Sequence, residues 1–104
     1  MSYGVKLPQA KGSFSSAQTA TQLVAGVAGA QIKVAGVYTR SAASGTISLL
    51  SENDATPRWQ DIGTGANGVA ADGQFLFVCD AGDDLDVTSD IAADHFVSVL
   101  YTIA

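Results

Sequence analysis

Three groups of residues have side-chain types and spacing that could do chemistry. Asp80, Asp83, Asp84 and Asp86 crowd around Gly82, and several carboxylates from one loop are what a hard cation such as calcium takes. An EF-hand loop, however, needs a Glu at its twelfth position, and counting from Asp80 that position is Ile91. The stretch therefore reads as a solvated acidic turn, with Asp86 on the wet face of the strand that follows. His95, the only histidine, stands after Asp94, so a Ser-His-Asp set can be written on paper. No serine lies in a nucleophile-elbow pattern, and one histidine without a second His or a Cys beside it makes no zinc site. Gly63-Thr64-Gly65-Ala66-Asn67-Gly68 matches the G-x-G-x-x-G spacing of a dinucleotide loop. That loop must open a helix, and no helical pattern follows, so turn chemistry between strands explains these glycines. No catalytic residue, metal ligand or cofactor is assigned, and the expectation is a protein that is not an enzyme.

The elements that would carry these residues are all β in character. Phe96 to Ile103 is almost wholly β-branched, aromatic or aliphatic, with Val97, Val99, Tyr101 and Ile103 on one face and Phe96, Ser98, Leu100 and Thr102 on the other. Both faces should meet something. Leu85 and Val87 alternate with Asp86 and Thr88 as in a half-buried strand. Gln31 to Arg40 predicts another strand, with Ile32, Val34 and Tyr38 together on one side and a bulge or close backbone approach at Gly36. Ser41 to Gly45 reads as a hairpin link and Thr46 to Leu50 as the returning strand, with Ile47 and Leu49 inward. Shorter strands are expected at 19–25, 58–62 and 74–79, and one helical turn at 91–95. About seven strands with turn signals roughly every ten residues predict an antiparallel β-sandwich, jelly-roll-like.

At 104 residues the chain suits one core. Only 14% of it is charged, a surface that suits a protein hidden against partners as well as one that is merely bland. Cys79 follows the apolar run Phe75 to Val78 and reads as a small buried hydrophobe, since it has no second cysteine to pair with. Trp59 reads as a core or subunit-contact aromatic. The net charge of −5 argues against nucleic acid. The apolar run from Leu23 to Ala30 is too short to span a membrane, and no leader pattern follows Met1, so a soluble protein made in the cytoplasm is expected.

Charge divides the chain: all ten acidic residues lie at or beyond Glu52, while Lys6, Lys11, Lys33 and Arg40 precede it. Residues 1–18 read as an extended N-terminal arm, basic and mobile until it meets an acidic surface, ahead of a β domain at 19–104. Val5, Lys6, Leu7, Lys11 and Phe14 are the residues with which such an arm would attach. Deleting residues 2–14 should then leave the domain folded.

The order of parts, with Val24-Ala25-Gly26 ahead of Gln31-Ile32-Lys33-Val34, Gly73-Gln74-Phe75 in the middle, and Ala81-Gly82-Asp83-Asp84-Leu85-Asp86-Val87 before a final apolar strand, resembles the small β-sandwich capsid decoration or cement proteins of tailed bacteriophages. The resemblance spans roughly residues 19 to 103. It implies a jelly-roll-like structural virion protein, commonly a homotrimer, bound to the major capsid protein on the outer surface of the head and stabilising the shell. It implies no catalytic residues. Subunit contact is expected from Trp59, Phe96 and Leu100. A tail, baseplate or fibre module binding a host glycan is the competing reading, which an exposed Trp59 or Tyr38 in a shallow groove would favour.

Overall fold

The computed structural model describes residues 7–71 and 73–104. Among these there are seven strands and no helix: β1 Gln9–Phe14, β2 Gln18–Val24, β3 Ile32–Ser51, β4 Trp59–Val69, β5 Phe77–Val78, β6 Leu85–Ser89 and β7 His95–Ile103. All belong to one antiparallel sheet, ordered β1-β7-β3-β6-β2, with β4 and β5 also paired to β3. The sheet curls into a half-barrel.

The curl follows from the length of β3. Twenty residues at ~3.3 Å each would run ~66 Å if straight, whereas the longest dimension of the molecule is 36 Å. The strand must therefore bend, and it does so at Ser41–Gly45, the stretch that reads in sequence as a hairpin link. No reversal occurs there. Ile32 to Ser41 pairs with β7, Ile47 to Ser51 pairs with β6, and the register with β4 slips between Arg40 and Gly45. Small residues suit the corner because the β6–β7 connection crosses it: Ala42 N–H donates to Asp94 O at 2.9 Å and Thr46 N–H to Asp90 Oδ1 at 2.7 Å. That connection, 90–94, is irregular rather than the expected helical turn.

A second irregularity sets which side chains face inward. The β3/β7 register slips between Val34 and Gly36, close to the expected bulge, so the inward series runs Ile32, Val34 and then Val37, Thr39. Tyr38 and Arg40 consequently lie on the outer face, and the grouping of Tyr38 with Ile32 and Val34 is corrected.

The core fills the inside of the curl. Ile47 and Leu49 from β3, Leu85 and Val87 from β6, and Val97 and Val99 from β7 are all within one per cent of full burial. Each such side chain contributes about 1.5–3 kcal/mol relative to exposure. Cys79 is fully buried among them, as its apolar setting indicates.

Residues 9–14 of the expected arm are extended, but they belong to the sheet: β1 pairs with β7 from Gln9 opposite Leu100 to Phe14 opposite His95. The expectation that this part orders only on binding is corrected, because β7 presents a row of backbone groups that β1 satisfies. The division after residue 18 thus falls just inside β2, within one sheet. Gly63 to Gly68, read as a turn, lies within β4.

Candidate functional site

The acidic stretch is a structural knot. Asp83 is buried. Its Oδ2 accepts from Ser51 Oγ at 2.7 Å and from Asn53 N–H at 2.9 Å, and its Oδ1 accepts from Asn53 Nδ2 at 2.7 Å. These donors hold its carboxyl below the usual range, Ser51 foremost. Asp84 Oδ1 accepts Gly26 N–H at 2.6 Å, and Arg58 bridges Asp54 and Asp80 at 3.0 and 3.1 Å. Gly26 is required by close approach, since a Cβ there would lie 2.3 Å from Gly82 O. The reading of a solvated turn is corrected for Asp83 and Asp86. Asp86 is also buried, in a cross-strand row between Leu50 on β3 and Gln22 on β2. Burial raises its pKa, with the charges of Asp84, Glu52 and Asp83 adding to the effect. Among the described residues no group of three His, Cys, Asp or Glu side chains is placed to hold a metal ion.

His95 is buried against Phe14, with ring centroids 5.4 Å apart. Its Nδ1 lies 2.8 Å from Ala93 O, an atom that can only accept, so Nδ1 donates there, and Nε2 and Ser89 Oγ are hydrogen-bonded at 2.8 Å. Ser89 in turn accepts Gln18 N–H at 3.1 Å and is itself buried. The pair resembles a nucleophile and its base, yet Asp94 takes no part in it through its carboxylate, and Ser89 does not line the hollow beside His95. The contact ties β2, β6 and β7 together.

The accessible chemistry lies on the outer face of β1, β7, β3 and β4. Register places Ser13, Phe96, Arg40 and Gly65 in one cross-strand row and Lys11, Ser98, Tyr38 and Asn67 in the next. Two adjoining hollows open here, of about 630 and 350 Å³, the first over Ser13, Asp94 and Phe96 and the second over Tyr38, Thr64 and Asn67. Arg40 lines both. The Tyr38 and Phe96 rings meet edge-on at 6.2 Å, and Arg40 Nη1 reaches Tyr38 Oη at 3.5 Å. Among the described residues Arg40 bridges no carboxylate, whereas Arg58 bridges two.

Among the described residues β4 pairs with β3 alone and has one free edge. It carries no Lys, Arg or Pro, and turns its one charged residue, Asp61, inward to accept Thr39 Oγ1 at 2.9 Å. Ile62 and Val69 on the same strand are 78% and 61% exposed. The exposed positions of this edge thus carry none of the Lys or Pro residues that commonly guard one, and its protection is limited to the inward Asp61 and the register slip opposite Arg40 to Gly45.

Of the residues expected to make contacts, Val5 and Lys6 lie outside the described residues. Leu7 is half-buried, Lys11 is exposed on β1, and Phe14 is half-buried against His95. Trp59 packs partly buried on its own core. Phe96 and Leu100 are half-buried on the outer face, with Leu100 in the row of Gly36 and Val69. Arg40 and Asp94 were missed as site residues. For Arg40 the signal was strand parity, readable only once the bulge near Gly36 is placed, whereas Asp94 lies in the irregular β6–β7 connection and had no strand pattern to show it.

The described residues form no helix long and apolar enough to cross a membrane. No family model, curated protein or solved structure matches the chain.

Proposed function

We propose that this chain is a non-enzymatic structural protein that works by contact: a homo-oligomer, trimeric by the resemblance noted above, that binds the major capsid protein on the outside of a phage head and stabilises the shell. On this reading the curled sheet is one version of the jelly-roll-like sandwich of such proteins. The observation that carries the proposal is the β4 edge, uncharged on its exposed positions and bearing Ile62 and Val69. Subunit contact then runs along β4 and across to Leu100, and the residues ahead of β1 reach the shell. The polar side chains that read as chemistry in sequence are engaged within the fold, which supports a scaffold rather than a catalyst.

Light scattering tests the first part. The full chain should be a trimer at about tens of micromolar, and Ile62→Lys with Val69→Lys should convert it to monomer without loss of β-structure. Co-sedimentation with undecorated phage capsids tests the second. A wild-type monomer at that concentration, or an oligomer that fails to bind shells, would overturn the respective part.

A further inference from the structure

The groove on the outer face has a composition that suits one ligand class. We propose that the joined hollows around Arg40 form a binding site for a neutral oligosaccharide, a property that stands or falls independently of the capsid reading. A sugar ring combines an apolar C–H face with hydroxyl edges that both donate and accept. Across the groove, Phe96 and Tyr38 supply aromatic surface, Arg40 supplies donors only, Asp94 acceptors only, and Ser13 and Asn67 both.

Charge decides among alternatives. Besides His95, whose ring is engaged with Ala93 and Ser89, the charged groups of the lining are Arg40 and Asp94, so a phosphate or carboxylate ligand drawn to Arg40 would meet Asp94 as a like charge. An apolar ligand would strip water from both ions without replacing their hydrogen bonds, at a cost of several kcal/mol. A neutral polyhydroxyl ligand satisfies both. The span also fits: four neighbouring strands cover about 14 Å at ~4.8 Å per step, and each hollow falls within the roughly 300–1,000 Å³ of small-molecule sites. The groove is floored by four strands joined by three backbone pairings, so its floor is preformed.

An array of neutral and sialylated oligosaccharides probed with the full chain tests this. The expected result is binding to neutral glycans, reduced at least tenfold by Arg40→Ala and by Tyr38→Ala, and unchanged by Gln22→Ala on the exposed side of β2. Both groove residues are exposed, and Arg40→Lys and Tyr38→Phe serve as milder variants, with circular dichroism to establish that each is folded. Binding to no neutral glycan, binding only to sialylated ones, or binding indifferent to all four groove variants would each overturn the proposal.

Discussion

Gly45 and Ile91 touch so closely that a Cβ on Gly45 would lie 2.5 Å from Ile91 Cγ1. This contact locks the corner of β3, because Ile91 is 2% exposed and cannot swing aside. Gly45→Ala should cost about 1–3 kcal/mol by overpacking, and Ile91→Ala about 2–4 kcal/mol by leaving a cavity. In the double variant the two losses should be less than additive, since one methyl fills part of the space the other vacates. Urea unfolding of the four proteins measures this.

Asp86 should oppose folding at neutral pH. Its folded pKa is raised by burial, so whatever it contributes is fully present below the ordinary carboxylate pKa and is lost as pH rises through the folded value. Asp86→Asn is expected to raise Tm at about pH 7 and to leave it nearly unchanged at about pH 3, where both side chains are neutral. Thermal melts at the two pH values check the sign.

Asp83 should behave in the opposite way within the same turn. Its pKa is lowered by the donors from Ser51 and Asn53, so its contribution is present above the ordinary pKa and disappears as pH falls through the folded value. Asp83→Asn should lower Tm at neutral pH, with the gap from wild type narrowing in acid. A gap constant with pH would mean that the carboxylate charge is not what the loop uses.

Cys79 should be chemically silent in the folded protein. Burial pushes its thiol up to about 11, which at about pH 8 lowers the thiolate fraction roughly hundredfold relative to a free cysteine. Reaction with a disulfide reagent should therefore track global unfolding, and a fast native-state reaction would show that β5 opens locally.

Deleting residues up to Phe14 should lower Tm and promote self-association, in contrast to the behaviour of a detached arm. The deletion removes β1 and leaves the β7 edge and His95 uncovered. An unchanged Tm in a monodisperse truncated protein would show that β1 contributes nothing to the sheet.

All-β character, the inward set Leu85 and Val87 of β6 and Val97 and Val99 of β7, and the burial of Cys79 were legible in the sequence, whereas the wet face expected at Asp86 was not. Each depends on side-chain type and period two, which are local properties. The irregularity near Gly36 was legible as well, but its consequence was not: one extra residue exchanges the faces of everything after it, which moved Tyr38 and Arg40 to the outer surface. Ser41 to Gly45 shows the same limit. Small residues permit a reversal or a corner equally, and only the crossing of Asp90 to Asp94 over β3 selects the corner. The number of strands agreed with expectation for a reason no local pattern supplies, since two expected strands merged into β3 while β1 appeared within the arm. Polar residues told least by themselves. Whether Asp83 faces water or Ser51, and whether Arg40 finds a carboxylate or an open groove, depends on partners distant in the chain, and only tertiary structure brings those together.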